Sequence, residues 1–314
     1  LAGATGAEVL GPSADLARAR ASLAVALGAS PLRRFAPVAG ARAQRLAESI
    51  GDRTTQGYVS FLRGLRALNE GRHLDARGYL RRALRDAEAA GDPRGVQEIL
   101  PNLAHCAVLA GDLDRAYGCY ERVGELARRT QNAQGLAWAE GGRGGVLIRR
   151  GALEEGITAF EGVRHLVEAG TDPSERSSHG YLAIGYWLAE RHDEALTEAE
   201  RVLASLPATP TGWHVQLGLI AACDVVVSAL ARAQTSGAPI RALRAAAVDA
   251  EQRLLDSCRA LPGGLPMAHA LSGRRLVLEG RRRGAARAFR AAVIASRDKQ
   301  LDEALGRALL AWGE

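Results

Sequence analysis

The residues able to do catalytic or metal chemistry are scattered through this sequence. Glu154–Glu155 and Asp193–Glu194 are neighbouring carboxylates, so on a helix they point apart and do not form an acid/base pair. The cysteines form no Cys-x-x-Cys pair and have no histidine at the spacing of a zinc ligand. They are Cys106, Cys119, Cys223 and Cys258. We therefore predict a protein that is not an enzyme, with no catalytic residue, metal site or cofactor, and with buried thiols in a reducing cytoplasm.

One glycine-rich stretch, Gly141-Gly-Arg-Gly-Gly145, has the composition of a phosphate-binding loop. It follows a helical pattern instead of a strand, and it lacks the Lys-Ser/Thr ending of a nucleotide-binding loop. Glycine inside a helix costs about 1 kcal/mol relative to alanine, so this cluster needs a local reason. The reason is either close packing of two helices or an indentation where the backbone of a ligand approaches.

The chain repeats itself with a period of 40 residues, as the turn glycines Gly71, Gly111 and Gly151 show. Between the turns, apolar residues occur at helical spacing, and the good helix formers Ala, Leu and Arg dominate. A second turn pattern keeps the same period: Gly51-Asp52, Gly91-Asp92, Gln131-Asn132 and Thr171-Asp172. Two helices in each fixed period are typical of a helical solenoid. The sequence therefore predicts an all-α chain.

A packing pattern accompanies each turn. A small residue seven positions before the turn glycine and another five positions after it let two helices approach each other. A large apolar residue four positions further on fills the space between them, as in Gly64, Gly71, Ala76 and Leu80. We expect six residues of this pattern to be buried between helices: Ala76, Leu80, Ala116, Tyr120, Phe160 and Phe289.

This pattern resembles tetratricopeptide repeats (TPR). The matching residues are Gly64…Gly71…Ala76…Leu80…Ala83, Leu103…Gly111…Ala116…Tyr120 and Gly273…Gly280…Ala285…Phe289…Ala292. Most units are longer than the usual length of about 34 residues, and Gly-Asp mostly replaces the unit-ending proline. Such long units resemble the carboxy-terminal sensor regions of bacterial signalling ATPases, adenylate cyclases and Ser/Thr kinases. The resemblance implies a right-handed α-solenoid of about seven TPR-like helix hairpins with a C-terminal capping helix. A HEAT-type array is the alternative.

The predicted boundaries describe one solenoid domain over residues 13–314, after an irregular lead over residues 1–12. Its units are expected at about 13–51, 52–91, 92–131, 132–171, 173–207, 211–261 and 264–297, with the capping helix at about 299–312. Within the units, turns are expected at 28–32, 71–72, 111–112, 151–152, 190–192, 236–239 and 280–283. Since the chain begins with Leu1 instead of Met, we expect an effector domain before it, as the resemblance also implies.

The first helix of each unit lines the concave groove in arrays of this kind, so its inward positions are the candidate binding residues. The polar candidates are Asn69, Glu98, His105, Arg149 and Ser177, and the aromatic candidates are Tyr58, Phe61, Trp138 and Trp187. Aromatic residues make up only 4% of the chain, and they dominate binding hot spots. Their position favours a protein or peptide ligand. The alternative is that long first helices need large side chains for packing, and that His105 is a structural residue.

An arginine cluster near the C-terminus is a second candidate surface: Arg274, Arg275, Arg281, Arg282, Arg283 and Arg287. The net charge is +6, and Lys299 is the only lysine. The cluster is either a solvated face or a surface for an anionic partner such as nucleic acid, although few aromatic residues lie near it for base stacking.

Together these patterns predict a non-catalytic protein- or peptide-binding scaffold, the sensor or regulatory region of a larger bacterial signalling protein. A nucleic-acid-binding helical array that uses the arginine cluster is the first alternative. A helical toroid that binds a small ligand or acts as an enzyme is the second. The sequence has no run of 18 apolar residues, so no membrane partner is expected.

Overall fold

The computed structural model describes residues 12–169, 179–205 and 212–313. These ranges contain fifteen α-helices, two short 3-10 turns and no β-strand. In chain order the helices are α1 (Ala14–Gly28), α2 (Ala36–Ile50), α3 (Arg53–Asn69), α4 (His73–Ala89), α5 (Pro93–Leu109), α6 (Leu113–Arg129), α7 (Ala133–Arg149), α8 (Leu153–Ala169), α9 (His179–Leu188), α10 (His192–Ser205), α11 (Trp213–Ser236), α12 (Arg241–Ala260), α13 (Leu265–Leu278), α14 (Arg282–Lys299) and α15 (Asp302–Gly313). The predicted all-α class is confirmed.

Consecutive helices pack as pairs, from α1 with α2 to α13 with α14, and α15 packs on the last pair. The odd-numbered helix of each pair is called its first helix and the even-numbered one its second helix. Within the pairs, the connections lie at 29–35, 70–72, 110–112, 150–152, 189–191, 237–240 and 279–281. These positions agree with the predicted turns to within a few residues. The chain is therefore a TPR-like helical-repeat solenoid with a terminal helix on its last pair.

The repeated turn between pairs consists of a left-handed residue followed by a helix N-cap. Gly91 has φ +63°, a conformation that glycine adopts without steric cost. The next residue, Asp92, accepts the backbone N–H of Gly95 on its Oδ1 at 2.9 Å and so caps α5. The same arrangement occurs between pairs at Gly51–Asp52 and Gln131–Asn132, and within the pair of α5 and α6 at Gly111–Asp112. The corresponding Thr171–Asp172 lies outside the described residues.

The predicted contact between small and large residues, sixteen positions apart, is confirmed. A Cβ atom on Gly64 would lie 2.7 Å from Cγ of Leu80, and one on Gly144 would lie 2.7 Å from Cδ2 of Phe160. Glycine is needed at these positions because the large side chain of the second helix occupies the space. All six residues predicted to be buried are at most 5% exposed: Ala76, Leu80, Ala116, Tyr120, Phe160 and Phe289.

Units that are distant in the sequence contact each other. Asn69, the last residue of α3, accepts the backbone N–H of Trp213 on its side-chain oxygen at 3.0 Å. Lys299, the last residue of α14, donates from Nζ to the carbonyl oxygen of Glu70 at 2.7 Å. Trp213 is 2% exposed and belongs to the same buried cluster as Leu68 of α3. The array therefore closes on itself, and its first helices surround a central space.

Helix α11 is long and apolar enough to span a bilayer by length and composition. In the fold, 67% of its most apolar window is buried. Its residues Val225, Val226 and Leu230 belong to the largest buried cluster, together with residues of α9, α10, α12 and α13. The apolar character of α11 thus corresponds to a central position in the core.

Candidate functional site

Five first helices converge on one cavity of about 340 Å³. Its lining comes from α3, α5, α7, α9 and α11, and one ring reaches it from the second helix α6. We call it the inner cavity, because first helices from distant units can face one space only on the inner side of a closed array. It is lined by Phe61, Leu65, Glu98, Pro101, Asn102, His105, Tyr120, Ala137, Trp138, Gly141, Gly142, Tyr181 and His214.

Four of the predicted binding residues meet in the inner cavity: Phe61, Glu98, His105 and Trp138. A fifth, Tyr58, lines an adjoining cavity of about 310 Å³ that shares Phe61 and Glu98 with the inner cavity. The two cavities are therefore neighbours along α3 and α5. The helical register of the first helices places these five side chains together. Their part in binding stays a prediction.

The other predicted binding residues lie elsewhere. The side chain of Asn69 bonds to Trp213 at the closure of the array. Trp187 packs on His192, with ring centroids 4.4 Å apart, and borders the buried cluster of the C-terminal half. Arg149 does not line the inner cavity, although its charge acts on His105 inside it. Ser177 lies outside the described residues.

Four further lining residues with polar or aromatic side chains were not predicted from the sequence as binding residues: Asn102, Tyr120, Tyr181 and His214. Asn102 follows Glu98 by four positions, so the helical spacing used for its neighbours was enough to find it. Tyr120 was predicted only as a packing residue, because it lies on a second helix. Tyr181 and His214 reach the cavity through the curvature of the array, which no local pattern encodes.

Trp138 at the rim of the inner cavity is held by a chain of polar contacts. The guanidinium carbon of Arg94 lies 5.7 Å from the centroid of the Trp138 ring, within the range of a cation–π contact. The same guanidinium donates to Glu98 at 2.7 Å and to Gln134 at 3.1 Å. These contacts fix the orientation of the Trp138 ring, which lies beside the ion pair of Arg94 and Glu98.

His105 is a half-buried hydrogen-bonding group of the inner cavity. Its Nδ1 is inaccessible to solvent and has no hydrogen-bond partner among the described residues. Burial is the main cause that lowers the pKa of His105 to about 3, and electrostatic interactions with His214 and Arg149 lower it further. At neutral pH the ring is therefore uncharged and carries one donor and one acceptor nitrogen. Such a group is suited to a neutral polar group of a ligand, such as a peptide bond.

The glycine-rich stretch of α7 packs against aromatic rings. A Cβ atom on Gly142 would overlap the ring of Tyr120, and the ring of Phe160 occupies the corresponding space at Gly144. Close packing therefore accounts for these two glycines and offsets their cost in helix stability. Gly141 and Gly142 also line the inner cavity. Their contact with a ligand stays a prediction.

Pro101 lies inside α5 and does not mark the start of the helix. The helix starts at Pro93, which follows the N-cap residue Asp92, because proline is favoured in the first turn, where its missing N–H costs nothing. Inside the helix, the missing N–H of Pro101 leaves the carbonyl of Gln97 without its helical donor. Pro101 is a lining residue of the inner cavity.

The arginine cluster separates into paired and exposed side chains. Arg274 forms an ion pair with Asp224, and Arg275 is 8% exposed and pairs with Glu251 and Glu279. Carboxylates of packed helices thus neutralise both charges, and Arg275 does not lie on an exposed surface. The part of the cluster in binding stays a prediction. The remaining members are exposed: Arg281, Arg282, Arg283 and Arg287.

The cysteines carry free thiols, and three of the four are buried. Burial raises the pKa of the Cys106 thiol to about 12, so this group stays protonated. Within the described residues, no group of three or more His, Cys, Asp or Glu side chains is placed to hold a metal ion.

Comparison with known proteins finds similarity in structure. No family model matches the sequence, and no curated protein matches it significantly. A Rap protein complexed with Competence and Sporulation Factor superposes with a TM-score of 0.61 at 10% identity, covering 93% of this chain and 87% of that chain. A tetratricopeptide repeat protein from Parabacteroides merdae has a TM-score of 0.35 at 14% identity, covering 81% of this chain and 98% of that one. The structure of Naa15/Naa10 bound to HypK-THB has a TM-score of 0.30 at 17% identity, covering 92% of this chain and 39% of that one. At such identities the Rap structure supports the TPR-like fold alone.

Proposed function

We propose that this chain is a non-catalytic scaffold that binds a segment of a protein or peptide in the inner cavity and the adjoining cavity. The observation that carries the proposal is the convergence of five first helices on one cavity with several aromatic rings. Aromatic side chains in desolvated pockets supply most of the energy of protein interfaces. The cavity of about 340 Å³ lies within the size range of ligand sites.

The polar groups of the cavity are few and mostly neutral, which favours a peptide over a strongly charged ligand. His105 is uncharged, and the carboxylate of Glu98 is already paired with Arg94. Apolar side chains of a peptide would fill the aromatic surface, while its backbone would bond to His105 and Asn102.

We also propose that the scaffold is the sensor or regulatory region of a larger cytoplasmic signalling protein of bacterial type. The length of the repeat units supports this proposal, because such units resemble those of bacterial sensor regions. The Rap protein of similar fold is complexed with Competence and Sporulation Factor. Free thiols are compatible with a reducing compartment.

The test is the titration of a captured partner against two variants. Trp138→Ala removes the largest side chain of the rim and should weaken binding by about 2 kcal/mol or more, which is roughly 30-fold. Charge reversal at Arg281, Arg282 and Arg283 should leave the affinity nearly unchanged. Trp312→Ala is the matched control, because Trp312 is 40% exposed on α15 and lines neither cavity.

The same titration at two salt concentrations separates the alternative function. A nucleic-acid-binding array loses affinity steeply as salt rises, because bound phosphates release counterions. If the arginine variant loses binding while Trp138→Ala does not, the working surface is the exposed arginine face and the inner-cavity proposal is wrong.

A further inference from the structure

A second cavity of about 340 Å³ opens between α4, α5 and α6 and shares no lining residue with the inner cavity. Helix α5 separates the two: Asn102 and His105 face the inner cavity, whereas Leu103 and Ala107 face the second one. We call it the outer slot. Its apolar floor consists of Leu84, Leu100, Leu103, Ala107 and Ala110.

Four guanidinium groups surround this apolar floor: Arg77, Arg81, Arg115 and Arg122. Arg115 lies 3.6 Å from Asp112, the one carboxylate of the lining, and Arg122 pairs with Glu88 at 2.5 Å. Arg77 and Arg81 have no ion pair with any described residue. The outer slot therefore has an excess of positive charge beside an apolar surface.

The outer slot is open where helix α6 lacks a side chain. Gly118 lies inside α6 and lines the slot, and a Cβ atom there would meet nothing within 4 Å. Glycine lowers helix stability, and no contact with a described residue requires it at this position, unlike at Gly144. The absence of a side chain keeps the floor accessible from solvent.

We propose that the outer slot binds a small amphiphilic carboxylate. Its aliphatic chain would cover the leucine floor, and its carboxylate would lie against Arg77 and Arg81. These two arginines are four positions apart on α4 and so project to the same side. The planar guanidinium matches a carboxylate with two parallel hydrogen bonds. The slot follows α6 from Arg115 to Arg122, a length of about 10 Å at 1.5 Å per residue, which suits a medium-length chain.

The first experiment titrates octanoate into the full chain by calorimetry. We expect saturable binding at one site, with acetate and octanol each at least about tenfold weaker, because acetate lacks the chain and octanol lacks the charge. Equal affinity for octanol would overturn the charge argument. Equal affinity for acetate would overturn the role of the floor.

A footprint on Cys119 locates the binding site. Cys119 lines the outer slot and is partly exposed, whereas the other three thiols are buried and serve as internal controls. Octanoate should slow the alkylation of Cys119 several-fold, in proportion to site occupancy. Saturable binding of octanoate with an unchanged alkylation rate at Cys119 would place the ligand elsewhere and overturn the assignment.

Two matched pairs of variants complete the test. Gly118→Leu fills the slot and should abolish octanoate binding, whereas Gly78→Leu should not. Gly78 is the equivalent glycine of α4, is equally open and does not line the slot. Arg81→Gln should weaken binding about tenfold, while Arg85→Gln, one turn further along α4 and outside the slot, should have no effect. Equal effects within either pair would overturn the proposal.

Discussion

Asn69 and Trp213 lie 144 positions apart in the sequence, and the side-chain oxygen of Asn69 accepts the backbone N–H of Trp213 at 3.0 Å. Trp213 is the first residue of α11, whose own N-cap residue, Gly212, has no side chain to bond the exposed N–H groups. A residue at the end of α3 therefore supplies a capping bond for a helix four pairs later. This use of Asn69 explains why it is absent from the inner cavity, where the sequence pattern had placed it.

The first prediction concerns this closure. Asn69→Ala should lower the free energy of unfolding by about 1 kcal/mol, the usual cost of losing a helix cap. Amide hydrogen exchange at the start of α11 should accelerate as well. Asn102→Ala is the control, because the side-chain amide of Asn102 donates within its own helix, to the carbonyl of Glu98 at 2.9 Å. Equal exchange rates at α11 in both variants would mean that the Asn69–Trp213 bond does not hold the array closed.

The second prediction concerns the crossing of paired helices. Ala76 and Ala116 are fully buried where the two helices of a pair meet. Ala76→Leu and Ala116→Leu should each destabilise the fold by about 1–3 kcal/mol through overpacking. Chemical denaturation checks this, with Ala89→Leu on the exposed end of α4 as control. Unchanged midpoints in both buried variants would contradict the packing pattern.

The periodic part of the fold was predictable because its causes are local. A left-handed residue followed by a capping Asp or Asn leaves a readable pair in the sequence, and the sixteen-residue spacing of Gly64 and Leu80 reflects two helices joined by a short turn. The closure was not predictable. Lys299 and Glu70 are 229 residues apart, and their contact depends on the rotation that accumulates over the intervening units.

The candidate site also has one part that could be predicted from the sequence and one part that could not. Phe61, His105 and Trp138 follow from the helical register of single helices. Trp187 has the same register, yet its ring packs on His192, the first residue of α10. Arg275 was expected in an exposed arginine cluster, but its pairing depends on Glu251 of the preceding helix.

The third prediction follows from the imidazole of His105 in the inner cavity. The pKa of His105 is about 3 in the folded chain, against 6.5 for the ordinary group. Between these values the unfolded chain binds a proton that the folded chain does not, so stability falls as the pH drops below 6.5. From pH 7 to pH 5 the loss should reach at most about 2 kcal/mol.

Unfolding free energies at pH 7 and pH 5 check this effect. His105→Gln should reduce the difference between the two pH values, whereas His165→Gln, which changes an exposed histidine of α8, should leave it as in the original chain. An undiminished difference in His105→Gln would show that the imidazole is protonated in the folded state.

The fourth prediction separates the buried arginine pair from the exposed arginines. Arg275→Ala leaves the buried carboxylate of Glu251 without its cation and should cost about 3–5 kcal/mol. Arg282→Ala, on the exposed side of α14, should change stability by less than about 0.5 kcal/mol. Thermal unfolding of both variants provides the comparison. Similar melting temperatures would mean that Arg275 contributes no more than a surface side chain.

The last prediction distinguishes binding from packing among the aromatic side chains of the first helices. Phe61 lines both the inner cavity and the adjoining one, whereas Trp187 packs against His192 and the core outside them. Phe61→Ala should therefore weaken the captured partner by about 2 kcal/mol or more. Trp187→Ala should leave affinity nearly unchanged while costing about 1–3 kcal/mol of stability, because the ring is half-buried. Binding titrations and denaturation curves on the same preparations measure both quantities. If Trp187→Ala abolishes binding in a folded protein while Phe61→Ala does not, the ligand occupies another face of the first helices and not the inner cavity.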